Sequence, residues 1–234
     1  MKRFGLAALM VVSALMAVSL LLPACQEPLD EEEGAAAPTT GEGVALPGAV
    51  DQAFVEAEFK STGAASGDSV LLGIKRLVVR DLSVTVPAGL LLQNPSAGEQ
   101  NMVVRGLRGE AVGGDRYRPV SAMVLTDDDR REYILEAYCL DVEKDNPSEG
   151  GALFLAEPAN PDVVAVLDAV GRVPDADGNI NAVQGAVWAI TGNVTLDDLR
   201  ERGYDLSEDD LDMARAILEA AGLDPARYRL FGGP

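Results

Sequence analysis

The sequence predicts an α+β fold, in which an antiparallel β-sandwich half at residues 51–157 precedes a small helical half at residues 158–234. Two observations predict it. The first half contains short runs rich in Val, Leu and Ile between turn residues, which is typical of antiparallel sheets. The second half has apolar residues at helical spacing with capping residues before them. We expect both halves to form one globular unit.

The strand predictions follow from apolar runs and the residues that stop them. The run LSVTV at residues 82–86 alternates apolar and polar residues, as a half-buried strand does, and Pro87 ends it. The predicted strands are 54–59, 70–80, 82–86, 102–107, 120–125 and 133–140.

The helix predictions follow from spacing and caps. Residues 161–170 carry an apolar face, and Asn181 is the predicted N-cap of a helix that runs to residue 190. Thr195 and Ser207 are predicted to start two further helices, each followed by acidic residues that favour the helix dipole.

Residues 1–24 have the pattern of a secretory signal peptide. Lys2 and Arg3 form a positive start, and residues 4–22 are almost entirely apolar. The alternative is an uncleaved membrane helix, because the apolar run is long enough to span a bilayer.

The stretch LPAC at residues 22–25 resembles a bacterial lipobox. This resemblance implies a lipoprotein that is acylated on Cys25 and held in the membrane by its acyl chains. Residues 25–50 are rich in Glu, Pro, Gly, Thr and Ala, and they are predicted to form a flexible acidic tether. We therefore expect an extracytoplasmic protein, anchored at the outer membrane or cell surface.

Composition excludes several functions. The chain has 19 basic and 38 acidic residues, for a net charge of −19, and this sign disfavours a nucleic-acid partner. It has no histidine, which excludes Ser-His-Asp and Cys-His catalysis and His-ligated metal or haem sites. We predict no cofactor and no enzymatic activity, although carboxylates remain available for acid–base chemistry.

One acidic loop has oxygen-bearing side chains at alternate positions. Asp175, Asp177 and Asn179 have this spacing, but Ile180 and Ala186 occupy the positions where an EF-hand needs Gly and an acid. The preferred interpretation is a turn before a helix, with a looser Ca²⁺ loop as the alternative.

Two short motifs contain the chemically distinctive residues. After lipidation of Cys25, Cys139 is the one remaining cysteine, and it lies in YCLD at residues 138–141. The second motif, VQGAVW at residues 183–188, contains Gln184 at a predicted helix start. Together they resemble bacterial surface thioester domains, in which a strand carries Tyr-Cys-x-[Asp/Asn] and a helix start carries Thr-Gln-x-Ala-Ile-Trp. A longer pattern is similar to exported bacterial domains for which no activity is established. It consists of VTVPAG at residues 84–89, QNMVV at residues 100–104, the Tyr-Cys segment with PS at residues 147–148, and VQGAVW.

The resemblance implies that the thiol of Cys139 and the side chain of Gln184 condense into an internal thioester. Tyr138, Asp141 and Trp188 would support this site. A nearby helix N-terminus favours thiolate character at the cysteine. The alternative is structural: Cys139 is a buried, inert thiol, and Gln184 occupies the capping-box position of a helix capped by Asn181.

Three hypotheses of function follow. The first is a lipid-anchored binding or adhesion module whose partner is a protein or polysaccharide surface. In its more specific version, the module binds this partner covalently through a thioester of Cys139 and Gln184. The second is a structural or envelope-interaction lipoprotein with an inert Cys139. The third, ranked last, is a carboxylate-dependent hydrolase, which two carboxylates converging in one cleft would favour.

Overall fold

The computed structural model describes residues 43–113 and 116–233. The signal peptide, Cys25 and most of the predicted tether lie outside these residues. The strands are β1 (Val44–Ala45), β2 (Val55–Ser61), β3 (Ser66–Arg76), β4 (Leu82–Thr85), β5 (Leu90–Gln93), β6 (Met102–Ala111), β7 (Tyr117–Pro119), β8 (Met123–Leu125), β9 (Arg131–Cys139) and β10 (Ala152–Leu155). The helices are α1 (Leu46–Asp51), α2 (Pro161–Ala169), α3 (Ile180–Thr191), α4 (Leu196–Glu201) and α5 (Glu208–Ala220).

The fold is mixed α+β with a large antiparallel sheet, but this sheet is a closed barrel and not a sandwich half. Six strands pair in the order β5-β10-β2-β3-β9-β6, and β5 also pairs with β6, which closes the ring. Closure leaves none of these six strands at an open edge. The sandwich prediction was wrong because the sequence analysis missed β5 and β10, the two four-residue strands that complete the ring.

A second, small sheet is formed where the sequence analysis placed the end of the tether. Strand β1 pairs in parallel with β4, and β8 pairs antiparallel with β4. In α1, Leu46 and Ala49 are fully buried. The start of the folded part therefore moves from residue 51 to Val44, the first residue of β1. Elements of two and six residues are too short to show a hydrophobic period.

The helical half packs around α3, which contacts β9, β3, α2 and α5. Capping boxes at Thr195 and Ser207 confirm the predicted starts of α4 and α5. The predicted cap of α3 was wrong: Asn179, not Asn181, accepts a hydrogen bond from the N–H of Ala182 at 3.0 Å. Within the described ranges, no helix is both long and apolar enough to cross a membrane.

Candidate functional site

Cys139 and Gln184 meet at one end of the barrel. Cys139 is the last residue of β9, and Gln184 lies in the second turn of α3, the helix that packs against this strand. Gln184 is four residues beyond the first residue of the helix, so it does not occupy the capping-box position. Its side chain reaches the backbone of Cys139 instead of its own helix end.

The carboxamide of Gln184 forms two hydrogen bonds with one residue. The N–H of Cys139 donates to Oε1 of Gln184 at 3.1 Å, and Nε2 of Gln184 donates to the carbonyl of Cys139 at 2.8 Å. The N–H of Cys139 also lies 3.1 Å from the carbonyl of Ala65, next to the start of β3. The side chain therefore binds the strand end in the way that a neighbouring backbone amide would.

Both residues are buried. Cys139 is fully buried and Gln184 is only 4% exposed. Burial, together with the negative charge of Asp141, raises the pKa of the Cys139 thiol to about 12. The expected thiolate character was wrong, because desolvation disfavours the charged form in this site. A free thiol at Cys139 would therefore stay protonated at neutral pH.

The hydrogen bonds of the Asp141 and Tyr138 side chains go to residues outside the Cys139–Gln184 pair. Oδ2 of Asp141 accepts hydrogen bonds from the backbone and side-chain N–H groups of Asn101 at 3.0 and 2.9 Å. This ties the turn after β9 to the start of β6. The hydroxyl of Tyr138 donates to Glu136. Its partner is therefore a carboxylate in another cluster of the barrel.

Trp188 forms part of a cleft at this site. It lies one turn after Gln184, is buried, and its ring packs against that of Tyr204 at a centroid distance of 4.6 Å. Among the described residues, the indole N–H has no hydrogen-bond partner. The cleft, of about 370 Å³, is lined by Gln184, Trp188, Ser66, Tyr204 and Leu206, among others.

The connection between α4 and α5 forms the opposite wall of this cleft. A Cβ on Gly185 would lie 2.9 Å from Cδ1 of Leu206, so the small residue after Gln184 allows this connection to pack closely. The hydroxyl of Tyr204 donates to Oδ1 of Asn146 at 2.8 Å. Sequence reasoning missed both Tyr204 and Asn146, since neither lies in a motif or a periodic segment.

A second cleft, of about 310 Å³, contains converging carboxylates. Asp68, Glu136 and Asp177 line it together with Arg108. Arg105 makes two bonds of 2.9 Å to Glu136 and also pairs with Asp177. Arg108 lies 3.3 Å from Glu136 and 3.1 Å from Asp68. The cleft therefore does bring carboxylates together, and each of the three pairs with an arginine.

The residues of the alternative Ca²⁺ loop make other contacts. Asp177 pairs with Arg105, and Oδ1 of Asn179 caps α3. Asp175 adopts the left-handed backbone conformation (φ 62°) that turns favour. In the part of the chain that the structure describes, no three His, Cys, Asp or Glu residues form a group able to hold a metal ion.

Comparison with known proteins gives no match to a family model, to a curated protein or to a solved structure.

Proposed function

We propose that this protein is a lipid-anchored, extracytoplasmic adhesion module that attaches to its partner through an internal thioester between Cys139 and Gln184. The observation that supports it is the paired hydrogen bonding of the Gln184 carboxamide with Cys139, on the wall of a cleft. The packing of α3 against β9 holds the thiol-bearing residue and the acyl donor next to each other, and no cofactor is needed.

Formation of the thioester needs only these two side chains. Sγ of Cys139 attacks Cδ of Gln184, the Sγ–Cδ bond forms, and the Cδ–Nε2 bond breaks. The nitrogen leaves as ammonia and takes the thiol proton with it. The N–H of Cys139, 3.1 Å from Oε1, donates to the oxygen on which negative charge develops.

Attachment to the partner breaks the thioester bond between Cys139 and Gln184. A nucleophile of the partner, such as an amine, attacks the thioester carbonyl, forms an amide with Cδ of Gln184, and releases Cys139 as a free thiol. The environment that raises the pKa of Cys139 makes the sulfur a poor leaving group. Together with exclusion of water this slows hydrolysis before the partner arrives. Each molecule reacts once, so the module is not a turnover enzyme.

Intact mass of the protein with and without methylamine tests this proposal. We expect a mass short by one ammonia that becomes a methylamine adduct, and we expect neither result in Cys139→Ala or Gln184→Ala. Gln100→Ala is the matched control, because Gln100 is a second buried glutamine outside the proposed bond. A full, unreactive mass in the wild type would exclude the thioester.

The second candidate is a non-covalent structural lipoprotein with an inert Cys139. The observation that favours it is that both polar ends of the Gln184 carboxamide already have partners, so the pair is complete as a structural contact. This candidate predicts an unmodified mass, a tolerated Cys139→Ala substitution and a destabilising Gln184→Ala substitution.

A further inference from the structure

The loop at residues 77–81, between β3 and β4, exposes apolar side chains. The sequence predicted a strand through residue 80, but β3 ends at Arg76. Beyond it, Val79 is 100% exposed and Leu77 is 52% exposed. Single exposed apolar residues are ordinary, but here two lie on the same short loop, with Arg80 stacked on Phe54 beside them at 5.2 Å.

This loop lies where the chain enters the folded part. Strand β1 is parallel to β4, with Val44 opposite Val84, and the loop leads directly into β4. A Cβ on Gly43 would lie 3.6 Å from the carbonyl of Ser83, the second residue of β4. The first described residue and the end of the loop are therefore neighbours.

The length of the chain between Cys25 and Gly43 limits how far the folded domain can lie from the proposed lipid anchor. Cys25 precedes Gly43 by 18 residues (43 − 25). At about 3.3–3.6 Å per residue this segment reaches at most about 65 Å. An anchor at Cys25 would thus be connected to the domain at the end that bears the exposed loop.

The candidate adhesion site lies at the other end of the barrel. Strand β3 starts beside Cys139, because Ser66 is opposite Tyr138, and it finishes at Arg76, next to the loop. Its 11 residues extend for about 35 Å at about 3.3 Å per residue. A membrane at the loop end would leave the Gln184 cleft facing away from it.

We propose that the loop at residues 77–81 rests on the lipid bilayer, with Leu77 and Val79 entering the interfacial layer. This inference rests on the lipid anchoring included in the proposed function. It assigns a lipid surface as the partner of the exposed loop, and it orients the covalent site outward.

The contact is apolar and not electrostatic. Lys75 and Arg76 precede the loop and Arg80 lies within it, but Arg76 lies 3.4 Å from Asp81. The acidic turn at residues 127–129 lies at the same end, because Leu125 is opposite Leu82 and Arg131 is opposite Ile74. These opposite charges offset one another, so added salt should leave the contact unchanged.

The test uses the full lipidated chain in vesicles of phosphatidylethanolamine with a minority of phosphatidylglycerol. An environment-sensitive fluorophore is placed at Val79→Cys and, as the matched control, at Phe154→Cys, an apolar position on β10 that is 57% exposed. The buried Cys139 is protected from the label, and labelled wild type gives the background.

We expect a blue shift on vesicle binding, and quenching by lipid-borne spin labels, at position 79 and at neither the control position nor the wild type. An aqueous spectrum at position 79 in a chain that co-floats with vesicles would overturn the loop contact and leave the anchor intact. A chain that does not co-float would overturn the anchoring, and with it the loop proposal.

Discussion

Gln184 stabilises the end of β9 because its carboxamide forms two hydrogen bonds with the backbone of Cys139, in addition to the contact of the Cys139 N–H with the carbonyl of Ala65. The two hydrogen bonds to Cys139 are made in a site from which water is excluded. Loss of one partner there leaves the buried carbonyl of Cys139 without a donor, which costs more than the hydrogen bond itself contributes.

Gln184→Met should therefore lower the free energy of unfolding by about 1–3 kcal/mol. Gln100→Met is the matched control. The side chain of Gln100 is also buried, but within the part of the chain that the structure describes it makes one hydrogen bond, of 3.3 Å to Asn146, and its Oε1 has no partner. Denaturant unfolding of the two variants measures the difference, and equal losses would contradict the stabilising role of the Gln184 pair.

A second prediction concerns the pH dependence that the buried thiol confers. Burial raises the pKa of Cys139 from its ordinary value of 9.0 to about 12. The unfolded chain releases this proton at lower pH than the folded chain. Stability is therefore fully present below pH 9 and is lost as the pH rises toward 12.

Unfolding free energies across this window should fall more for the wild type with a free thiol than for Cys139→Ala. The buried tyrosines are common to both proteins, so the difference isolates the cysteine. An acylated Cys139 carries no proton, and a missing difference with an ammonia-deficient mass would agree with the thioester. A missing difference with a free thiol would contradict the raised pKa.

At the scale of elements, an ion-pair cluster joins three strands to the turn before α3. Glu136 of β9 is 4% exposed and pairs with Arg105 and Arg108 of β6, while these arginines also pair with Asp177 and Asp68. A buried charge that loses its partner is strongly destabilising, even where the complete pair contributes little.

Glu136→Gln should accordingly cost about 3–5 kcal/mol of unfolding free energy, since it leaves Arg105 largely buried with its main partner neutral. Asp205→Asn is the control, because the Arg200–Asp205 pair is exposed and should change stability by less than about 1 kcal/mol. Urea unfolding compares them, and a small effect at Glu136 would show that the cluster is not a stabilising unit.

Sequence reasoning predicted elements best where local chemistry determines them. The side chains of Thr195 and Ser207 form hydrogen bonds with the first turn of the helix that follows each of them. These capping boxes depend only on residues close together in the sequence. The closing strand β5 has only four residues, and its pairing with β6 and β10 depends on distant parts of the chain. Short apolar runs do not reveal such pairing.

In the candidate site too, the residues that lie in local motifs could be predicted, and those brought together by distant contacts could not. The resemblance singled out Cys139 and Gln184 because both lie in motifs, and the structure brings them into hydrogen-bonding contact. Tyr204 belongs to the connection between α4 and α5, and it reaches Asn146 across the fold. A contact between residues 58 positions apart has no signature in either segment.

At the scale of the whole molecule, the first strand and helix, β1 and α1, contribute buried residues to the hydrophobic core. Leu46 is fully buried, and β1 adds a strand to the small sheet of β4 and β8. Truncation of one buried leucine to alanine typically costs about 2–5 kcal/mol. Loss of β1 and α1 together removes Leu46 and Ala49 and exposes the apolar surface that they cover.

A chain that begins at Gly43 should therefore unfold at a clearly higher denaturant concentration than one that begins at Gln52, close to the boundary that composition predicts. The two differ by nine residues (52 − 43), none of them in the Cys139–Gln184 site, so a change in stability reports the packing of this segment alone. Leu46→Ala in the longer chain should reproduce part of the loss. Equal midpoints for the two chains would show that the folded unit is complete without β1 and α1, and that the tether extends to residue 50.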